Sequence, residues 1–278
     1  MQMKTLYVSD LDGTLFNTEK ALTPATVQLL NECIRRGALF AVATARMPYG
    51  CDRRLEALRL SAPSVLTNGV FLYDFEVKRY LSAETIPDEA AHRVLDVFAR
   101  HNVKVFLYTF ADGQIGIHYN DPALTGQTQY YSRRALESCA AVTMEPDLGA
   151  QISGGSAFYF ACTGAREALE PVVSAVEALD GVSCAFYLNI YNGLYCVEVF
   201  SHRASKRNAL TRLKTMLGCD ELVVFGDNLN DLSMFEIADR SYAVANALDI
   251  VKERATGTIG SCNEDGVARF LKAELLSG

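Results

Sequence analysis

No CxxC pair occurs among the 8 cysteines of this 278-residue chain, which stand at positions 33, 51, 139, 162, 184, 196, 219 and 262. That removes the paired spacing on which most thiol metal and redox motifs rely. Most of these cysteines sit in apolar runs, which reads as buried free thiols in a reducing cytosol. Long hydrophobic stretches are missing as well. No uninterrupted apolar run is long enough to cross a bilayer, and no basic segment with an apolar span precedes Lys4. Positive charge is in deficit, with 26 Lys and Arg against 33 Asp and Glu, a formal net charge of −7. A nucleic-acid backbone is therefore a poor main partner. Internal repeats and low-complexity segments are absent too. The chain reads as soluble and cytoplasmic, with no membrane partner and an oligomeric state that the sequence does not reveal.

What is present is apolar residue in quantity. Half of the chain is hydrophobic, enough to bury a large core in one large domain or two ordinary ones. Four short apolar runs share a habit: "TLYVS" before Asp10, "LFAVA" before Thr44, "SVLT" before Asn68 and "ELVVFG" before Asp227 each end on polar or small residues. Helical spacing follows in Val27, Leu30 and Ile34, closed by Gly37, and in Ala209, Leu210, Leu213 and Leu217, closed by Gly218. Strands alternating with helices predict a Rossmann-like α/β core with a parallel sheet covered on both faces. Sites in such sheets lie beyond the carboxyl ends of the strands, where Asp10, Thr44, Asn68 and Asp227 fall.

The middle of the chain has a different texture. "KVFLYTF" and "QIGIHY" flank Ala111-Asp112-Gly113, a hairpin signal. "SAFYFAC", "VSCAFYLNI" and "LYCVEVF" predict further strands, the last two paired around Tyr191-Asn192-Gly193. Helices are expected at 88–101 and at 166–179, the second interrupted by Pro171. This texture predicts an α+β domain at 83–202 inserted into a catalytic core made of 1–82 and 203–278.

The first candidate site lies in "LYVSDLDGTLF". Asp-Gly is a common hairpin dipeptide, so a simple turn is one reading. The other is geometric: residues two apart in an extended chain point the same way, so Asp10 and Asp12 would face one side beyond the strand. Gly13 would let the backbone turn sharply and approach a ligand. A second acidic cluster follows in "VVFGDNLNDLSMF". Asn and Asp there suit a helix N-cap, a role that fits Asp231 in particular. Asp227 shares a sheet end with Asp10 and Asp12, and three converging acidic groups need a cation to hold them. Oxygen ligands of this kind suit Mg²⁺ with a substrate phosphate. Lys206 would sit at a helix start, a poor place for a cation unless an anion is near; alternatively it is an ordinary solvated lysine. Thr44 places a hydroxyl at a strand end, or merely closes the strand as a β-branched residue.

Together the four pieces resemble the haloacid dehalogenase-like (HAD) hydrolases. "DLDGT" is similar to that family's first motif, the strand-end Thr44 to its second, Lys206 to its third and "GDNLND" to its fourth. The large insert, with "TNG" ahead of it, resembles the Cof-type branch with a C2-type cap. The chain departs from that branch at Ala45, where Gly is more common, and at Arg207, which replaces a frequent Gly. The resemblance implies two-step phosphoryl transfer by a Mg²⁺-dependent phosphatase. Asp10 would be the nucleophile forming an aspartyl phosphate, and Asp12 the acid and then base. Thr44 and Lys206, with Asn230 assisting, would hold the phosphoryl oxygens. The Asp10 side chain, the Asp12 carbonyl and Asp227 would bind the metal, with Asp231 orienting Lys206 or a metal-bound water. Arg46, Asn68 and aromatics of the insert are candidates for the substrate's organic part, or equally a solvated arginine, a turn asparagine and core aromatics. The substrate would be a small phosphorylated metabolite such as a sugar phosphate or a phosphorylated cofactor. A phosphosugar mutase with the same nucleophile and metal site, and a non-catalytic metabolite-binding protein, are the alternatives.

Overall fold

The computed structural model of the chain describes residues 3–124, 140–189 and 192–276; Cys139, and Tyr191 of the expected turn, lie outside that range. From the amino end come β1 (Thr5–Ser9), α1 (Pro24–Arg35), β2 (Leu39–Val42), β3 (Ser64–Leu66), β4 (Phe71–Asp74) and β5 (Arg79–Ala83). Then follow α2 (Asp88–Arg100), β6 (Phe106–Ala111), β7 (Gln114–Tyr119), β8 (Ala140–Met144), β9 (Ala157–Gly164), α3 (Arg166–Glu177), β10 (Val182–Leu188) and β11 (Tyr195–Ser201). The last stretch holds α4 (Lys206–Leu217), β12 (Glu221–Gly226), β13 (Arg240–Val244), α5 (Asp249–Arg254), β14 (Gly257–Ile259) and α6 (Gly266–Leu276). Two compact units result: Met1–Ser82 with Ser205–Gly278, and Ala83–Ala204.

The first unit is built on a five-stranded parallel sheet in the order β14-β13-β12-β1-β2. Its central strands are buried along their length, as near-continuous apolar runs require when both faces of a sheet are covered. Leu6, Val8, Leu222, Val223, Val224 and Phe225 have no exposed surface. Each such side chain contributes about 1.5–3 kcal/mol by leaving water. Helix α1 begins with Thr23 accepting from the Thr26 amide and Pro24 in the first turn, and Gly37 follows its end at φ 101°. Helix α4 starts at the Ser205 cap and stops at Gly218, which is left-handed at φ 60°.

The expected third strand of the parallel sheet behaves otherwise. β3 meets the sheet through one parallel bridge, Ala43–Val65, and the Val42 amide donating to Ser64 Oγ at 3.1 Å, and along its length it pairs antiparallel with β4 in a small sheet of β3, β4 and β5. The chain reverses immediately after β3 because Thr67, Asn68 and Gly69 all have positive φ, so β4 returns alongside it.

The second unit is a six-stranded sheet in the order β10-β11-β9-β6-β7-β8, antiparallel except for the β7–β8 pair. The β6–β7 turn holds Asp112 at φ 51° and Gly113 at φ 77°, the left-handed pair that a two-residue hairpin favours. Val94 and Phe98 of α2 and Val172 and Val176 of α3 pack with Leu107, Phe160, Val197 and Val199 of the sheet in one core. Helix α3 is not interrupted at Pro171 but runs through it. The proline lies on the exposed side, while Leu169, Val172, Val173 and Val176 anchor the helix on the other. Packing of that face outweighs one missing backbone hydrogen bond.

At the edge of the parallel sheet away from the strand-end aspartates, one arginine ties four elements together. Arg240 Nε and Nη2 donate to Glu221 at 2.7 and 3.2 Å, and Nη2 also donates to Glu274 at 2.6 Å. Thr5 Oγ1 donates to Glu221 at 2.7 Å and Tyr7 OH to Glu274 at 3.2 Å. The Arg240 fork, with Thr5 adding to it, holds the Glu221 carboxyl below its ordinary range against the effect of burial. The unfolded chain therefore takes up that proton first. Stabilisation from Glu221 is complete above the ordinary carboxylate range and is lost as pH falls through the lower folded value. Arg240→Met is expected to lower stability by about 2 kcal/mol at pH 7. Urea titrations between pH 3 and 7 check this, and the variant should lose less than the wild type as acid is added.

Candidate active site

The backbone of β1 delivers Asp10 one residue past the strand, where its amide donates to Phe225 O at 2.9 Å. Asp10 is buried, with 6% of its surface exposed. Lys206 enters from the first position of α4 and is buried to 2%. Its Nζ donates at 2.6 Å to Asp10 Oδ1 and at 2.6 Å to Asp231 Oδ1. The ammonium at a helix start therefore has two anions beside it, which offsets the unfavourable dipole there.

Asp231 has a double task. Its Oδ2 accepts from the amides of Asp227 at 2.9 Å and Asn228 at 3.1 Å, and with Asn228 it forms a capping box. Both of its oxygens are thus engaged by protein donors. Asp227 differs: Thr14 Oγ1 donates to its Oδ1 at 2.7 Å, while no protein donor meets its Oδ2 among the described residues. Asp10 likewise has one oxygen on Lys206 and one that meets no protein donor among the described residues.

Close approach is enforced by two glycines. A Cβ on Gly13, at φ 84°, would lie 2.5 Å from Asp227 Oδ2, and one on Gly226 would lie 2.6 Å from Asp231 Cβ. Gly13 lets the loop 10–14 lie against Asp227, and Gly226 lets Asp231 fold back over the start of its own loop. Asn246 secures the same loop from a third side, donating from Nδ2 to Gly13 O at 2.7 Å while its Oδ1 accepts from the Cys262 amide at 2.9 Å.

Thr44 is 99% buried, and its Oγ1 accepts from the Arg46 amide at 3.1 Å. That bond uses one of the hydroxyl's two lone pairs, and its proton meets no acceptor among the described residues, which leaves it to donate to another oxygen. Arg46 does not extend into open space. Its Nε and Nη2 donate to Asp12 Oδ2 and Oδ1, each at 2.5 Å. Asn68 sits at φ 50° between Thr67 and Gly69; its amide donates to Thr44 O at 3.0 Å, and its Oδ1 accepts from Asn230 Nδ2 at 3.4 Å. Thr67 at φ 53° is a β-branched residue in the left-handed region, a strained conformation that surrounding contacts must hold. Those contacts run to the Arg46 carbonyl and, through Gly69, to the backbone of Ser205 ahead of Lys206.

All nine residues singled out in the sequence, Asp10, Asp12, Thr44, Arg46, Asn68, Lys206, Asp227, Asn230 and Asp231, thus belong to one connected set of contacts in the first unit. Thr14 and Asn246 join them. Thr14 stood in the quoted motif and could have been singled out as a hydroxyl beside two carboxylates. Asn246 carried no local signal, since its role depends on a carbonyl 233 residues away.

Charge is unbalanced in this cluster. Asp10, Asp227 and Asp231 offer oxygens within 4.8 Å of one another, against the single buried ammonium of Lys206. Burial pushes the Asp10 carboxyl upward, the Lys206 ammonium opposes this, and Asp231 and Asp227 add to the push. Burial also raises Asp227 to about 6, opposed by the Thr14 hydroxyl and reinforced by Asp231. For Lys206 burial disfavours the charge, yet Asp10 and Asp231 outweigh it and hold the ammonium above its usual range. Two carboxylates with free oxygens, both driven to keep a proton when nothing else neutralises them, fit a hard divalent cation. The acidic triad could hold a metal, with Asp10 and Asp227 offering the free oxygens.

The family model of haloacid dehalogenase-like hydrolases matches residues 7–271, and the chain belongs to that family. It is 27% identical to pyridoxal phosphate phosphatase YbhA of Escherichia coli (strain K12), over 96% of this chain and 97% of that protein. It is 26% identical to 5-amino-6-(5-phospho-D-ribitylamino)uracil phosphatase YwtE of Bacillus subtilis (strain 168), over 97% of each chain. A solved haloacid dehalogenase-like hydrolase from Bacteroides thetaiotaomicron superposes with a TM-score of 0.77 at 22% identity, covering 98% of this chain and 99% of that one. The parallel-sheet core with an inserted sheet-rich unit is the fold of that family. No described helix is long and apolar enough to cross a membrane.

Removing Lys206 would leave Asp10 and Asp231 buried against each other. Lys206→Met is expected to cost about 3–5 kcal/mol of stability in chelator-treated protein, as for one partner lost from a buried ion pair. Denaturant unfolding measures it; a loss below 1 kcal/mol would show that the ammonium does not hold the cluster together.

Proposed function

We propose that this protein is a Mg²⁺-dependent phosphatase that hydrolyses small phosphorylated metabolites through an aspartyl phosphate on Asp10. The observation that carries the reading is Asp10 itself: a buried carboxylate past a central strand, one oxygen fixed by Lys206 and the other without a protein donor among the described residues. Family membership and relatives named as phosphatases support the same reaction.

In this reading the Asp10 oxygen attacks phosphorus, the bond to the leaving oxygen breaks, and Asp12 supplies the proton that oxygen needs. Water then attacks phosphorus, the bond to Asp10 breaks with its electron pair returning to the carboxylate, and Asp12 takes the proton from water. Lys206 and the free hydroxyl proton of Thr44 hold the phosphoryl oxygens as charge spreads over them, with Asn230 assisting. Asp231 orients Lys206 through its 2.6 Å bond. Asp10, Asp227 and the Asp12 carbonyl are the proposed metal ligands. When bound, Mg²⁺ supplies positive charge between the nucleophile and the phosphate.

The relatives' names describe small phosphorylated organic molecules, and a sugar phosphate or phosphorylated cofactor remains the proposed substrate class. The inserted unit is the proposed determinant of substrate choice, and Asn68 a candidate contact for the organic part. Cytoplasmic action on a free metabolite is part of the same reading.

Phosphate release from an aryl phosphate, with and without Mg²⁺, tests the proposal. Wild-type turnover should depend on the metal and fall by about 10³-fold or more in Asp10→Asn, with folding retained. Equal rates in the two proteins would rule out Asp10 as nucleophile.

A further inference from the structure

The sequence offered Arg46 as a contact for the substrate, but its guanidinium is already engaged. Nε lies 2.5 Å from Asp12 Oδ2 and Nη2 lies 2.5 Å from Asp12 Oδ1, a fork on both oxygens of one carboxylate. That is the geometry in which arginine fixes a carboxylate's orientation as well as its charge. The hydrogen bonds to Asp12, followed by its nearby charge, raise the Arg46 guanidinium against the effect of burial.

The arginine is held independently of Asp12. Its amide donates to Thr44 Oγ1 at 3.1 Å, and its carbonyl accepts from the Thr67 amide at 3.0 Å. Its guanidinium carbon lies 5.5 Å from the ring centroid of Phe16, a fully buried side chain. Phe16 is tied to the same turn as Asp12, with its amide donating to Leu11 O at 2.7 Å. The strained Thr67 conformation is thus part of what holds Arg46 in place. By contrast the Asp12 side chain is 43% exposed and has no other protein donor among the described residues. Without Arg46 it would be free to rotate.

We infer that Arg46 is a positioning residue that sets the orientation of Asp12 for proton transfer, and is not a contact for the substrate. The inference rests on the phosphatase reading, in which Asp12 is the acid and base. When water attacks the phosphorylated Asp10, the proton that water loses passes to one Asp12 oxygen, which gives up one of the two bonds to Arg46. The second bond keeps the carboxyl aimed while it carries that proton. In the other half of the cycle the same proton leaves for the departing oxygen, and the fork closes again. Lysine has no second donor in that plane, so Arg46→Lys keeps the charge but loses the aim.

A double-mutant cycle of Arg46→Ala with Asp12→Asn tests the inference, followed with an alkyl phosphate whose leaving oxygen needs a proton. Thermal melts first establish that each variant is folded. Arg46→Ala should lower kcat by about 10²-fold with KM changed less than about 3-fold, and Arg46→Lys should recover little. In the Asp12→Asn background the arginine substitution should change kcat by less than about 3-fold, because its partner is already gone. Added guanidinium ion should restore part of the rate of Arg46→Ala and none of that of Asp12→Asn. A raised KM with kcat intact, or equal losses in both backgrounds, would overturn the inference and return Arg46 to the substrate. A wild type without metal-dependent hydrolysis would instead overturn the phosphatase reading, and this inference with it.

Discussion

Lys206 is one buried ammonium between two carboxylates, 2.6 Å from each, with a third close by. The rest of the catalytic unit is arranged around that imbalance. Bringing three acidic groups together in a buried place costs several kcal/mol per unpaired charge, so the fold must hold them against their repulsion. It does so by giving each a different set of partners. Among the described residues, Asp231 is saturated by two amides and the ammonium, Asp227 is met by one hydroxyl, and Asp10 by the ammonium alone. The groups left with a free oxygen are those a cation would meet.

Holding that arrangement needs backbone in unusual places. Gly13 allows two loops to approach within a distance no side chain would permit, and Gly226 allows Asp231 to fold back over its own loop. Thr67 and Asn68 occupy left-handed conformations that only their surroundings sustain, and the run ends on Gly69 against the backbone of Ser205. One short turn therefore links the loop bearing Thr44 and Arg46 to the start of the helix bearing Lys206. Strain in this turn is offset by the hydrogen bonds it makes on either side.

Much of this was legible from strand ends alone. Apolar runs closing on Asp10, Thr44 and Asp227 placed three groups at one edge of a parallel sheet, because side-chain burial on both faces leaves only the carboxyl ends for chemistry. Lys206 carried an ambiguous signal, its awkward position at a helix start, and the resemblance to the haloacid dehalogenase-like hydrolases singled it out. Four features were not legible, or only in part. Pro171 looked like a break, but the apolar face of α3 holds the helix through it. The run before Asn68 does reach the parallel sheet, but by a single parallel bridge, and the left-handed turn after it brings β4 back to pair with it antiparallel. Strands β13 and β14 were not anticipated, being short segments whose pairing depends on neighbours far along the chain. The Arg46–Asp12 fork escaped for a related reason. Residues 34 apart carry no local sign that they will meet.

We propose that a bound divalent cation matches the surplus negative charge of Asp10 and Asp227. Thermal melting of wild type and Asp227→Asn, in chelator and in excess Mg²⁺, tests it most directly at pH 5 and pH 7.5. At a hundredfold excess over its dissociation constant the cation should stabilise the wild type by about 2.7 kcal/mol. The gain should be larger at pH 7.5 than at pH 5, because the Asp227 carboxyl, pushed up to about 6, must lose its proton for the cation to bind. Asp227→Asn should show little gain at either pH. An equal gain in wild type and variant, or no gain in the wild type at pH 7.5, would show that Asp10 and Asp227 do not hold a cation.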